Sequence, residues 1–218
     1  MSDRTASDRL DPIRRSGVLA VLRAPSADAA VEAAAALIRG GVTGVEVTYS
    51  TPDARAVIAE LRRRHGEAAL IGAGTVTTPE QAEESAGAGA QFLVSPGTLP
   101  NLARAMLATG LTTMTGAMTP TEVMGAIALG VDVIKVFPAS LGGPPLLKAL
   151  RQPFPEAVLM PTGGVTAENL ADFLAAGAIA VGAGGDLLSR AALEHGDWDT
   201  IEARAGDYAT ALQQSRQA

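Results

Sequence analysis

At 218 residues, 47% of them apolar, and with a net charge of −6, the chain is expected to form one domain with a sizeable core and no basic surface for nucleic acid. It has no cysteine, which excludes a disulfide framework and a thiolate metal site. It also has no apolar run of about 18 residues, so no membrane span is expected.

Residues 1–16 are polar and charged and lack the apolar stretch of a secretory signal, so a cytoplasmic protein is expected. Leu10 and Ile13, three apart, predict a short helix over residues 5–16. From there the pattern repeats. Apolar runs at 17–23, 44–48, 69–74, 91–95, 111–115, 131–137, 157–161 and 179–182 predict strands. Each is followed by a helical pattern, at 27–39, 52–65, 79–88, 99–108, 120–129, 145–150, 167–176 and 186–193. A last helix is expected over 198–213. Thr51-Pro52, Thr78-Pro79 and Thr119-Pro120 each read as an N-cap before Pro at the first helical position. Several helices run into Gly, the residue that most readily ends one. The basic run Arg62-Arg63-Arg64-His65 falls at a helix end, where cations suit the dipole, and reads as a solvated face.

The predicted strands are near-continuous apolar runs, as expected of strands covered on both faces. Eight strand–helix units point to a (β/α)8 TIM barrel built by the whole chain, 1–218, as a single domain. Residues 1–16 would be an N-terminal helical extension and 197–218 a C-terminal helix. An open doubly wound sheet is the alternative, but it does not call for eight regular units.

In such a barrel the chemistry sits at the C-terminal ends of the strands. Polar residues are scarce within the strands and gather at those ends. They are Arg23, Glu46 with Thr48, Thr75, Ser95-Pro96-Gly97, Thr115, Lys135 with Phe137, Thr162-Gly163-Gly164 and Gly182 to Gly185. Lys135 stands inside the β-branched run Val131 to Val136. The bland reading is a lysine whose apolar stem lies along the strand while its head reaches water. Against it, the 17 basic residues include only two lysines, so this position holds a residue the chain otherwise avoids. A buried lysine, unlike arginine, can shed its proton and act as an amine nucleophile. Glu46, between Val45 and Val47, is a second ionisable group in an apolar run. It is either a structural ion-pair partner or a carboxyl that moves protons near neutral pH.

The loops after the seventh and eighth strands are glycine-rich. Such loops commonly hold a phosphate through backbone N–H groups, and glycine permits close approach. His65 and His195 stand alone without ligand spacing, Glu83-Glu84 reads as a solvated helix face, and no nucleophile-elbow or Walker motif occurs. No metal and no cofactor is expected.

Five segments resemble the 2-keto-3-deoxy-6-phosphogluconate aldolases, which also act as 4-hydroxy-2-oxoglutarate aldolases. They are Gly44-Val45-Glu46-Val47-Thr48, Gly72-Ala73-Gly74-Thr75-Val76, Phe92-Leu93-Val94-Ser95-Pro96-Gly97, Ile134-Lys135-Val136-Phe137-Pro138-Ala139 and Pro161-Thr162-Gly163-Gly164-Val165. The resemblance runs from Val18 to Leu188. It implies a class I aldolase, usually a homotrimer, in which Lys135 forms a Schiff base with pyruvate and Glu46 shuttles protons. It further implies that Thr75 helps hold the pyruvate carboxylate and that Phe137 lines the pocket. The substrate-binding candidates are therefore Arg23, Thr75, Pro96, Phe137, Thr162, Gly163, Gly164, Gly184 and Gly185. Two positions depart from the family pattern: Ser50 stands where arginine is frequent, and Gly185 where serine is frequent. Arg23 is then expected to take over part of the anion binding.

The expected reaction cleaves a 2-keto-3-deoxy sugar acid, 2-keto-3-deoxy-6-phosphogluconate or its galactonate epimer, or 4-hydroxy-2-oxoglutarate. The products are pyruvate and an aldehyde, phosphorylated for the first two substrates. The rival readings are a phosphosugar isomerase or epimerase on the same barrel and a non-catalytic sugar-phosphate binding protein.

Overall fold

A computed structural model of the chain describes residues 6–217. The first five residues of the expected N-terminal extension, and Ala218, lie outside the described residues. Eight short strands form one parallel sheet: β1 Val18–Leu22, β2 Gly44–Thr48, β3 Leu70–Gly74, β4 Phe92–Val94, β5 Thr112–Ala117, β6 Val133–Val136, β7 Leu159–Pro161 and β8 Val181–Ala183. Their order is β7-β6-β5-β4-β3-β2-β1-β8. A parallel bridge between Thr162 and Gly182, with Ile179 N–H donating to the Leu159 carbonyl at 3.0 Å, joins the two ends. The sheet is thus a nearly closed barrel, as the eight repeated units imply.

Ten helices surround it among the described residues: α1 Ala6–Ser16, α2 Ala27–Arg39, α3 Ala54–His65, α4 Pro79–Gly87, α5 Pro100–Ala108, α6 Pro120–Leu129, α7 Gly143–Arg151, α8 Leu170–Ala175, α9 Arg190–His195 and α10 Trp198–Gln217. None of them is long and apolar enough to cross a membrane. Thr78 and Thr119 cap α4 and α6 as expected, each in a reciprocal capping box with Gln81 or Glu122.

Local chemistry misleads at three places. Thr51 does not cap α3, which starts two residues later behind Asp53. Its hydroxyl is taken by the neighbouring strand end, accepting from Ala24 N–H at 3.1 Å and donating to the Leu22 carbonyl at 3.3 Å. The helix expected over 186–193 begins only at Arg190, capped by Ser189, whose hydroxyl accepts from Ala192 N–H at 3.1 Å. Residues 184–188 instead form a turn in which the Gly184 carbonyl accepts from the N–H groups of Leu187 and Leu188. The helix expected over 167–176 shortens to α8, because the Asn169 side chain bonds the Thr166 N–H and the Gly164 carbonyl and holds the preceding turn out of helix.

The core has two parts. The larger lies between strands and helices and is built almost wholly of Val, Ile, Leu and Ala. The smaller fills the lower barrel with Leu19, Phe92, Val94, Met114, Val133 and Met160, and α1 seals it from below through Leu10 and Ile13. Phe92 fits because Gly72 faces it: a Cβ there would stand 2.5 Å from the ring. With its lower half packed, the barrel can hold polar chemistry only at the upper rim.

Candidate active site

Glu46 in β2 and Lys135 in β6 meet across the interior of the barrel. Lys135 Nζ lies 3.4 Å from Glu46 Oε1, with Glu46 0% and Lys135 5% exposed. The lysine head therefore does not reach bulk water along its stem; the pair is buried, a costly arrangement unless the charges are matched or the groups exchange protons. Lys148, the only other lysine, is exposed on α7. Gly74 makes the pair possible, since a Cβ at that position would come within 2.6 Å of Glu46 Cδ.

Glu46 Oε2 and Thr162 Oγ1 are buried without a hydrogen-bond partner among the described residues. Buried polar oxygens are nearly always satisfied, so the carboxylate oxygen, which accepts, and the threonine hydroxyl, which can donate as well as accept, suit a polar ligand beside the amine. The Phe137 ring roofs the site, its centroid 5.6 Å from Lys135 Nζ. The Phe137-Pro138 peptide is cis. Thr75, at the end of β3, holds φ at +53°, a left-handed conformation rare for a β-branched residue. Hydrogen bonds on either side fix it: Tyr49 N–H to the Gly74 carbonyl at 2.9 Å, and Val76 N–H to the Val94 carbonyl at 3.0 Å. Strain retained in this way marks functional positions more often than plain turns.

A cleft of about 460 Å³ opens beside the ends of β1 and β8, lined by Arg23, Gly184, Gly185 and Arg190 among others. Lys135 and Glu46 do not line it; they lie within the barrel. Arg23 Nε donates to Ser50 Oγ at 2.7 Å, and Ser50 Oγ bonds Thr48 Oγ1 at 2.9 Å. Ser50 thus holds an arginine that comes from another strand. Gly163 and Gly164 both have positive φ, +88° and +79°, and a Cβ on Gly164 would also meet Ser140 Cβ at 2.6 Å. Gly184 and Gly185 differ, because a Cβ on either would meet nothing within 4 Å. Pro96 is exposed, and its carbonyl packs so closely on Gly116 that no side chain fits there. Among the described residues no three His, Cys, Asp or Glu side chains gather as a metal site.

A family model described as KDPG and KHG aldolase matches residues 11–204, and so spans the strands that carry both Lys135 and Glu46. The chain belongs to the KDPG and KHG aldolase family. KDPG and KHG aldolases are carbon–carbon lyases, which sets aside the isomerase and binding-protein readings. The 2-dehydro-3-deoxy-phosphogluconate aldolase of Treponema pallidum is 36% identical over 194 residues, 88% of this chain and 92% of that protein. The 2-dehydro-3-deoxy-6-phosphogalactonate aldolase of Escherichia coli K12 is 36% identical over 171 residues, 78% of this chain and 83% of the other. Among solved structures, KDPG aldolase from Legionella pneumophila, with pyruvate captured as a covalent carbinolamine, superposes with a TM-score of 0.83 at 31% identity, covering 93% of this chain and 97% of that one.

The sequence alone points to the lysine, the glutamate and the rim glycines. It does not show Ser50 as the partner of Arg23, the strained backbone of Thr75, or the side chains of α10 that reach behind loops seven and eight. The hydroxyl left at position 50, set against the neighbouring polar strand end, was the one available signal.

Proposed function

We propose that the chain works as a single-domain class I aldolase in which Lys135 is the Schiff-base residue and Glu46 the proton carrier. The observation that carries this reading is the buried pair at 3.4 Å, set within the barrel under the Phe137 ring. The Lys135 amine, once neutral, attacks the C2 ketone of a 2-keto-3-deoxy acid. The carbinolamine loses water to give a protonated imine, which serves as the electron sink. Glu46 takes the proton of the C4 hydroxyl, the C3–C4 bond breaks, and an aldehyde leaves. The electron pair rests in the enamine of pyruvate, which is protonated at C3 and hydrolysed from the lysine.

The substrate carboxylate lies against Thr75 and Thr162, whose buried hydroxyl oxygen has no partner among the described residues. Pro96 and Phe137 shape the walls. The distal phosphate lies at the glycines of loops seven and eight, Gly163, Gly164, Gly184 and Gly185, and Arg23, steered by Ser50, supplies the nearby positive charge. The substrate is 2-keto-3-deoxy-6-phosphogluconate, with its galactonate epimer and 4-hydroxy-2-oxoglutarate as further substrates of the same site. Pyruvate release from each of the three, by wild type and by Arg23→Ala, tests this assignment. The expected result is turnover of the phosphorylated acids at the lowest KM, with Arg23→Ala raising that KM. No pyruvate from any of them would overturn it.

The homotrimer belongs to the same proposal. Leu99, Met124 and Leu141, 60%, 59% and 75% exposed, stand on three consecutive strand–helix units and present apolar surface suited to a second copy. Light scattering on wild type and Met124→Glu checks it: a trimer that the charge loosens is expected, and a wild-type monomer would refute it.

A further inference from the structure

A polar cluster lies on the outer wall of the barrel, where α10 passes behind loops seven and eight. Tyr208 is fully buried, and its hydroxyl lies 2.9 Å from the Val165 carbonyl and 2.8 Å from Asp186 Oδ2. Arg204, one turn earlier, grips both oxygens of Asp186 at 2.9 and 2.8 Å. It also reaches Glu168 and Asp207, each at 3.2 Å. Val165 and Glu168 belong to loop seven, Asp186 to loop eight. One helix therefore fastens both glycine-rich loops from behind.

The fastening bears on the backbone groups that would meet a phosphate. In a planar trans peptide the carbonyl and the N–H point in opposite directions. The Gly164 carbonyl is held by Asn169 Nδ2 at 2.9 Å, and the Gly184 carbonyl by Leu187 and Leu188. The N–H groups of those same peptides, on Val165 and Gly185, bond no acceptor among the described residues. Pairs of such N–H groups are what anion-binding loops offer. Charge works the same way. Asp186 directly follows Gly185, and an uncompensated carboxylate there would repel a phosphate. Arg204 pairs with both of its oxygens, and it is the cation shared with Glu168 and Asp207 as well.

We propose that Tyr208 and Arg204 are positioning residues. They form a clamp that sets the spacing of loops seven and eight and cancels the charge of Asp186, so that the loops accept the phosphorylated end of the substrate. The inference rests on the phosphate assignment made above. Neither residue contacts the reacting atoms, so the clamp acts on KM for phosphorylated substrate and not on imine formation.

The test compares 2-keto-3-deoxy-6-phosphogluconate with 4-hydroxy-2-oxoglutarate on Arg204→Met, Tyr208→Phe, Arg204→Met with Asp186→Asn, and Gly185→Leu. Arg204→Met should raise KM for the phosphorylated acid about tenfold, as much as one weakened charge-assisted bond to the phosphate would cost. Its kcat, its KM for the unphosphorylated acid and its rate of pyruvate trapping by borohydride should stay near wild type. Adding Asp186→Asn should recover part of the loss, because the carboxylate next to Gly185 no longer needs cancelling while Glu168 and Asp207 stay charged. Equal losses on both substrates, or none on either, would overturn the clamp. If Arg204→Met does not fold, Tyr208→Phe, which keeps the ring, carries the same comparison with a smaller shift in the same direction, and no selective shift there overturns it too. Gly185→Leu separates the two levels. A selective loss there without one at position 204 sinks the clamp alone, whereas no selective loss at Gly185 sinks the phosphate site itself.

Discussion

The lower and upper halves of the barrel are made by the same eight strands and hold opposite chemistry. Below, Leu19, Phe92, Met114, Val133 and Met160 fill the space, and Leu10 and Ile13 of α1 close it. Above, a carboxylate and an amine share a buried site with two unpartnered oxygens. The contrast is sharpest on β3, where Gly72 yields room to the Phe92 ring and Gly74, two residues on, yields room to the Glu46 carboxyl. The same device serves packing in one place and chemistry in the other. What distinguishes the halves is therefore the side chain admitted, not the backbone that admits it.

The contrast can be broken from either side. Lys135→Ala should abolish turnover of all substrates, while Ile13→Ala in the lower half should leave kcat/KM unchanged and cost about 2–5 kcal/mol of stability, as buried large-to-small changes do. Steady-state kinetics and denaturant unfolding on the two variants check this, and activity loss in Ile13→Ala would blur the division.

Glu46→Gln keeps the size of the side chain and removes its ability to carry a proton. Turnover should fall by roughly 10²–10⁴, the range for a general acid–base group, with pyruvate binding retained. Unchanged kcat would reduce Glu46 to a structural partner of Lys135.

The two glycines sharpen the comparison. Gly72→Ala should destabilise by about 1–3 kcal/mol, because the ring must move in a packed core, with the remaining folded enzyme active. Gly74→Ala should instead lower kcat about ten- to a hundred-fold by displacing the Glu46 carboxyl, since misplacement by about 1 Å can cost that much. Thermal unfolding and kinetics on both should give opposite orders of severity.

The smallest effect is a gain. Gly185→Ser adds a hydroxyl where a Cβ meets nothing within 4 Å. One further hydrogen bond to a phosphate should lower KM for the phosphorylated acid roughly two- to tenfold, which a substrate titration would reveal.

Much of this is legible in the sequence. The barrel follows from eight repeats of an apolar run and a capped helix, and Lys135 and Glu46 were conspicuous as ionisable residues inside such runs. What was not legible depends on partners distant in the chain. Thr51 looks like a cap, but its hydroxyl goes to the end of β1. Residues 186–189 look helical, but Asp186 is committed to Arg204 and Tyr208, 18 and 22 positions away. The positive φ of Thr75 leaves no trace in residue type, because a β-branched residue ordinarily avoids that conformation, where a glycine would have signalled it.

The central claim is that Lys135 is the amine that bonds pyruvate. Borohydride reduction in the presence of pyruvate, followed by proteolysis and peptide mass measurement, tests it most directly. One pyruvate-derived adduct per chain, located on Lys135 and absent from Lys135→Arg, is the expected result, since arginine supplies no neutral amine. An adduct on Lys148, or trapping that survives in Lys135→Arg, would contradict it.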